Sequence, residues 1–194
     1  MAGAAPDGYT LLVSATHHVI NPAIRPKLPY NASKDFTNIA LLATTPNVLV
    51  VNQASPARSV ADLLALAKKD PGQVSFGSSG SGQSPHLSAE LFKQRAGIQG
   101  THVPYKGAGP ALIDVIGGQV DGMFDQTNTA LPQITEAKVR ALAVTSASRV
   151  GQLKDVPTLA ETVVPGFEAA TWYGIYAPKG TPQPVIDKMQ AAYL

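Results

Sequence analysis

The chain has 194 residues, of which 44% are hydrophobic and 14% are charged, and it carries a net charge of +2 with no cysteine. This composition excludes a disordered chain, because disorder requires low hydrophobicity and high charge, and the scattered lysines and arginines give no footprint for nucleic acid. The absence of cysteine excludes disulfides, thiolate nucleophiles and cysteine-ligated zinc sites.

Apolar runs between closely spaced glycines and prolines predict short strands, in chain order at 10–13, 39–43, 48–51, 74–76, 102–105, 119–125, 139–144 and 172–176. Helices are predicted after Ser59, after Ser84, around 111–116, at 130–137, and from Pro182 or Pro184 to Leu194. The run 48–51 does not alternate, which is typical of a strand buried on both faces of a parallel sheet. Alternating strands and helices therefore predict an α/β fold.

Two helix starts carry capping signals. Ser59 is predicted as an N-cap with Asp62 as the reciprocal acceptor. Ser84 is predicted as the N-cap of the next helix, with Pro85 at its first position.

The segment 77–84, Gly-Ser-Ser-Gly-Ser-Gly-Gln-Ser, joins a predicted strand to a predicted helix, and we call it the anion loop. Its glycines allow left-handed backbone angles, so that successive amides can point inward at an anion. The following helix adds the positive end of its dipole, and the serine hydroxyls add donors. A flexible surface turn remains an alternative.

Three better-known motifs do not fit the anion loop. The spacing matches a phosphate-binding P-loop, but Gln83 stands where that motif requires lysine. A Gly-x-Ser-x-Gly nucleophile elbow does not occur, because Ser81 stands at the closing position. A dinucleotide fingerprint fails because Pro85 replaces the third glycine. The loop therefore favours a single carboxylate over a polyphosphate.

The remaining titratable residues do not form a recognisable catalytic or metal motif. None of the four histidines belongs to a His-Glu-x-x-His pattern, so no metal or other cofactor is predicted, and most histidines are expected to be structural. His86 is the exception, because a place in the first helical turn would let it face the ligand. Asp125 ends its predicted strand and could line a cleft.

Several motifs resemble receptors of tripartite tricarboxylate transporters, the Bug or TctC-like family. They occur in the family's order along nearly the whole chain, at 7–12, 21–22, 35–36, 46–51, 77–87, 102–107, 117–120, 140–145 and 156–158.

The resemblance implies an α/β, periplasmic binding protein type II-like fold with two lobes, a mainly parallel sheet in each, and lobe one incomplete. It implies a non-enzymatic periplasmic receptor that captures a small carboxylate (a di- or tricarboxylate, an acidic amino acid or an aromatic acid) for membrane permease subunits. Lobe two would be 46–167, and lobe one 1–45 with 168–194.

The resemblance also maps ligand-binding residues onto two loops, one in each lobe. In lobe two it maps onto Ser78, Ser79, Gly80, Ser81, Gly82 and Ser84, beside His86. In lobe one it maps onto Ser14, Thr16 and His17, which would face the distal part of the ligand. Asp125 and Trp172 would line the cleft walls.

The chain departs from the family pattern at both ends. The family's leader, first strand and Pro-Phe-x-x-Gly-Gly-type loop have no counterpart before Asp7, and its last helices are missing. Exposed edges of lobe one would then favour a homodimer. Two alternatives stay open, namely a hydrolase that pairs a serine with His86, and a fragment that binds nothing.

Overall fold

The computed structural model describes residues 1–193, and Leu194, to which the last helix was predicted to extend, lies outside them. The strands are β1 (Leu12–Ala15), β2 (Phe36–Asn52), β3 (Ser75–Ser78), β4 (Thr101–Pro104), β5 (Gly122–Gln126), β6 (Val139–Val144) and β7 (Ala170–Pro178). The helices are α1 (His17–Ile24), α2 (Val60–Lys69), α3 (Ser84–Ala96), α4 (Ala108–Gly117), α5 (Thr127–Thr135), α6 (Leu159–Thr162) and α7 (Gln183–Tyr193), with a 3-10 turn at Gly151–Leu153.

The chain separates into two compact units. Unit 1 consists of residues 1–44 together with the chain from 171 onward, and unit 2 is the continuous segment 45–170. In unit 1, β7 lies between β1 and the first part of β2, and β1 pairs antiparallel with it from Leu12 opposite Tyr176 to Ala15 opposite Tyr173.

Unit 2 contains a mixed sheet in the order β6-β2-β5-β3-β4. As predicted, β3 runs parallel to both β4 and β5, because the crossover helices α3 and α4 return the chain to the same edge. The prediction of a mainly parallel sheet in each lobe is wrong, because β1 pairs antiparallel with β7 in unit 1 and the sheet of unit 2 is half antiparallel. The second part of β2 runs antiparallel to β5 and β6, since the chain reaches it directly from unit 1 without a crossover helix.

Both faces of the unit 2 sheet are covered, as the unalternating run predicted. Leu49 and Val51 belong to one apolar cluster and Val48 and Val50 to another, and all four are fully buried. The first cluster also holds three aromatic rings, those of Phe76, Phe92 and Phe124.

Two local predictions need correction. The runs 39–43 and 48–51 form one 17-residue strand, β2, because Pro46 lies within extended backbone rather than ending it. Helix α1, which has Pro22 inside it, was not among the predicted helices. Pro22 leaves one carbonyl of this short helix without an amide donor, which an exposed short helix tolerates.

The predicted cap of α2 is confirmed in its first half. Ser59 is the N-cap, and its side chain accepts a 3.1 Å hydrogen bond from the Asp62 amide. In the second half, the carboxylate of Asp62 accepts a 3.0 Å hydrogen bond from the amide of Arg58, the residue before the N-cap. In residues 1–193 the longest helices are too short, and not apolar enough, to cross a lipid bilayer.

Candidate functional site: an anion loop at the start of helix α3

The anion loop follows the carboxyl end of β3 and leads into α3. Gly80 and Gly82 have φ angles of 143° and 80°, in the region that favours glycine, so the loop requires both residues for its course. The segment after β4 holds the other side of the loop, because the amides of Tyr105 and Gly107 donate to the carbonyls of Ser78 and Ser79 at 3.0 and 3.1 Å.

Helix α3 begins at Ser84, so the predicted N-cap is shifted by one residue. The N-cap is Gln83, which makes no side-chain capping bond, and Pro85 is the second helical residue. Ser84 does not cap the helix because its hydroxyl serves another bond. The buried side chain of Asn47 on β2 donates 2.9 Å hydrogen bonds to the hydroxyls of Ser84 and Ser88, and thereby ties the start of α3 to the sheet.

The amides of the anion loop divide into two sets. Those of Gly80 and Gly82 are used inside the protein, donating to Ser78 Oγ at 3.2 Å and to His86 Nδ1 at 3.0 Å. Within the described residues, the amides of Ser79, Ser81 and Ser84 have no hydrogen-bond acceptor. Ser79 is half-buried and Ser81 is exposed, so their amides and hydroxyls, together with the amide of the buried Ser84, are the donors that the loop can offer to an anion.

Two histidines pack beneath the loop. His86, in the first turn of α3, stacks on His102 of β4 with ring centroids 3.8 Å apart and planes inclined by 25°. Burial lowers the pKa of both side chains, so both favour the neutral form. His86 stays a predicted ligand-binding residue, but its Nδ1 is already engaged by Gly82.

Ser78 and His102 do not form a working nucleophile and base, although Ser78 Oγ lies 2.7 Å from His102 Nε2. Ser78 is fully buried, and its hydroxyl already accepts from the Gly80 amide. A substrate carbonyl therefore has no access to Oγ, and the pair serves the backbone of the loop instead.

Asp125 is buried at the carboxyl end of β5, in the same unit as the anion loop. Burial raises the pKa of its carboxyl to about 6, although Thr129 Oγ1 donates to Oδ2 at 2.6 Å and the Gln126 amide also favours the ionised form. Its carboxylate faces α5, which carries Thr129. Asp125 as a ligand-binding residue remains a prediction.

The other predicted residues lie in unit 1, where β1 leads into α1. Ser14 is buried, and its hydroxyl lies 3.3 Å from His17 Nε2. Thr16 Oγ1 and His17 Nδ1 are buried without a hydrogen-bond partner among the described residues. Burial, and then the charge of His18, lower the pKa of His17. His18 Nε2 is buried without a partner as well, and three unsatisfied polar atoms on consecutive residues make this turn suitable for a polar ligand.

Trp172, predicted to line a cleft wall, lies on β7 and lines a cavity of about 730 Å³ within unit 1. His18, Phe36 and Tyr176 line the same cavity.

Sequence reasoning found the anion loop but missed the two residues that brace it, Asn47 and His102. A lone polar residue before the buried run 48–51 was a signal for Asn47, since a buried amide needs partners. His102 gave no signal beyond its place in a strand parallel to β3. Among residues 1–193 no group of three or more histidine, aspartate or glutamate side chains lies close enough to hold a metal ion.

Comparison with known proteins gives consistent matches. The family model described as the tripartite tricarboxylate transporter family receptor, TctC, matches residues 1–194. The UPF0065 protein in the tcbD-tcbE intergenic region of Pseudomonas sp. (strain P51) is 43% identical over 192 residues, which is 98% of this chain and 57% of that protein. The chain thus spans little more than half the length of this relative.

Two solved structures are similar over 99% of this chain. R. palustris Rpa4515, solved with adipate, is 37% identical with a TM-score of 0.93, and the match covers 64% of its chain. MatC (Rpa3494) from Rhodopseudomonas palustris, solved with bound malate, is 36% identical with a TM-score of 0.88, and the match covers 66% of its chain.

Proposed function

The chain belongs to the tripartite tricarboxylate transporter receptor family, a family of solute-binding receptors, and from that membership we propose that it binds a small carboxylate through the anion loop. The proposal assigns the ligand contact to Ser79, Ser81 and Ser84 in unit 2.

The observation that carries this proposal is the division of the loop amides. Gly80 and Gly82 use their N–H groups to fix the loop. The N–H groups without an acceptor among the described residues are those of Ser79, Ser81 and Ser84, at the start of a thirteen-residue helix. Three donors beside a helix amino end suit one carboxylate group, since each oxygen accepts from two directions.

The charge of the loop supports a carboxylate over a polyphosphate. No lysine or arginine occurs in 77–84, so a ligand with several phosphate charges would lack a cation to neutralise them. Backbone amides and hydroxyls are sufficient for one negative charge.

The ligands of the two structural relatives indicate which class of carboxylate this chain binds. Those relatives were solved with malate and with adipate, both of which are dicarboxylates. We therefore propose a dicarboxylate as the ligand class of this chain. The proposed setting is the periplasm, with delivery to membrane permease subunits.

Calorimetric titration of the chain with malate, adipate and inorganic phosphate tests the proposal. We expect saturable binding of at least one dicarboxylate and none of phosphate. Ser81→Asp, which places a carboxylate on an exposed loop position, should weaken that binding by about tenfold or more because like charges repel.

Gln73→Glu is the matched control, since it adds one negative charge at an exposed position before the amino end of β3. It should bind as the unaltered chain does. Absence of binding to every di- and tricarboxylate in a thermal-shift panel, or an equal loss in both variants, would overturn the proposal.

The predicted homodimer is a separate proposal. Val13 and Leu41 of unit 1 are 59% and 61% exposed, which leaves apolar side chains for a second copy to cover. Light scattering that gives only the monomer mass at high concentration would refute it.

A further inference from the structure

The stacked histidines beneath the anion loop each hold one of its glycines. The Gly82 amide donates directly to His86 Nδ1, and the Gly80 amide donates to Ser78 Oγ, which in turn bonds to His102 Nε2. The two glycine amides that fix the loop therefore both depend on imidazole rings.

The bond from Gly82 fixes the protonation state of His86. A backbone N–H can only donate, so Nδ1 must carry a lone pair and the ring proton must sit on Nε2. Nε2 lies 3.6 Å from Glu90 Oε1, so a proton on Nε2 is favoured by the nearby carboxylate. A second proton on Nδ1 would set two donors against each other and remove the bond.

His102 tolerates protonation better than His86 does. Its partner is a hydroxyl, which donates to a neutral Nε2 and accepts from a protonated one. The Ser78–His102 contact therefore survives either state, and only the Gly82–His86 contact is lost in acid.

The groups around His86 push its protonation in opposite directions. On α3, Glu90 favours the charged form and Lys93, which is 2.7 Å from Glu90, opposes it. On β4, a protonated His102 opposes it at stacking distance. On β5, which also packs against α3, Asp125 is bonded to Thr129 of α5.

Two neighbouring segments have little effect on the protonation of His86. The exposed Lys106 lies in the segment after β4. No titratable residue occurs in β3 or in the anion loop.

We propose that His86 is a positioning residue for the anion loop, holding Gly82 only while its imidazole is neutral, so that acid opens the loop and releases the bound carboxylate. The opening of the loop stands on these contacts alone, whereas the release of ligand rests on the proposed function. Because burial lowers the pKa of His86, the transition falls below the ordinary range of histidine.

Nuclear magnetic resonance of the full chain without ligand tests the opening. We expect the ¹⁵N shift of His86 Nδ1 and the amide signal of Gly82 to titrate together as the pH is lowered, with a common midpoint below about 6.5. In His86→Asn, whose Oδ1 can replace Nδ1 as acceptor, the Gly82 signal should no longer titrate. In His102→Gln it should still titrate, at higher pH, because the opposing charge is gone.

Calorimetry with malate tests the release, and comparing variants at each pH removes the effect of malate's own protonation. Between about pH 7.5 and a pH below the His86 midpoint seen by magnetic resonance, the unaltered chain should lose about tenfold more affinity than His86→Asn, the effect of one hydrogen bond. A Gly82 signal that ignores pH, or that titrates unchanged in His86→Asn, overturns the inference whatever binds.

The two proposals fail separately. If Gly82 and His86 titrate together but no carboxylate binds at any pH, the positioning role stands and the proposed function falls. If malate binds with equal pH dependence in both chains, the proposed function stands and acid release is refuted.

Discussion

The Asn47 side chain and the Ser84 hydroxyl form a 2.9 Å hydrogen bond between β2 and the first residue of α3, and both residues are buried. Asn47→Ala removes this donor and leaves the hydroxyls of Ser84 and Ser88 without it. We expect the free energy of unfolding in urea to fall by about 1–3 kcal/mol. Asn128→Ala, at an exposed position of α5, should change it by about 0.5 kcal/mol or less. Equal effects in the two variants would refute this role of Asn47.

The aromatic cluster of unit 2 should be sensitive to truncation. Phe92 is fully buried, and its ring centroid lies 5.7 Å from that of Phe124 and 6.4 Å from that of Phe76. Phe92→Ala should cost about 3–5 kcal/mol of unfolding free energy through lost burial and the cavity it leaves. Ile113→Ala, at a position that is 68% exposed, is the control and should cost about 0.5 kcal/mol or less. A loss below about 1 kcal/mol for Phe92→Ala would show that the cluster collapses around the gap.

Substitution by alanine should change stability in opposite directions at two glycines. A Cβ at Gly80 would meet nothing closer than 3.5 Å, but its φ of 143° strains any other residue, so Gly80→Ala should destabilise by about 1–3 kcal/mol. Gly109 in α4 has no heavy atom within 4 Å of the added Cβ and no left-handed backbone, so Gly109→Ala should stabilise by about 0.4–1 kcal/mol. Thermal melting of both variants gives the signs, and a stabilised Gly80→Ala would contradict the strained course of the loop.

Asp125 should make stability depend on pH in an unusual direction. Its pKa is raised to about 6 in the folded chain, above the unfolded value of 3.8, so its protonated form is favoured by folding. This contribution is fully present below about pH 4 and is lost as pH rises through about 6. A shift of about two pH units corresponds to about 3 kcal/mol.

Asp125→Asn, which does not titrate, isolates this effect. The difference in unfolding free energy between Asp125→Asn and the unaltered chain should grow in favour of the variant between about pH 4 and about pH 7. The comparison cancels His86 and His102, whose lowered pKa values act in the opposite direction, with stability lost in acid. A difference that stays constant with pH would mean that Asp125 is ionised at ordinary cost.

The sequence predicted those parts of the fold that local chemistry decides. The run 48–51 is a buried strand, Ser59 caps α2, and the glycine-rich segment 77–84 links β3 to α3 because only glycine suits the angles at Gly80 and Gly82. Matches between the chain and the receptor family confirm the predicted family.

What the sequence could not predict depends on contacts between distant segments. Ser84 was predicted as an N-cap, but its hydroxyl accepts a hydrogen bond from Asn47, a residue of strand β2 that is distant in sequence. The stacking of His86 on His102 could not be predicted, because the sequence spacing of two residues on different elements does not show that their rings meet. The antiparallel direction of β2 follows from its continuity with unit 1, which a search for separate short strands does not detect.

The division of the chain at residues 44 and 171 also bears on the order in which the protein can fold during synthesis. Unit 2 is complete in one stretch and can form as soon as residue 170 has left the ribosome. Unit 1 must wait, because its strand β1, made before unit 2, pairs with β7, made after unit 2, as in the contact of Leu12 with Tyr176. Because domains fold as they emerge, β1 stays unpaired while unit 2 is made and needs protection from aggregation during that interval.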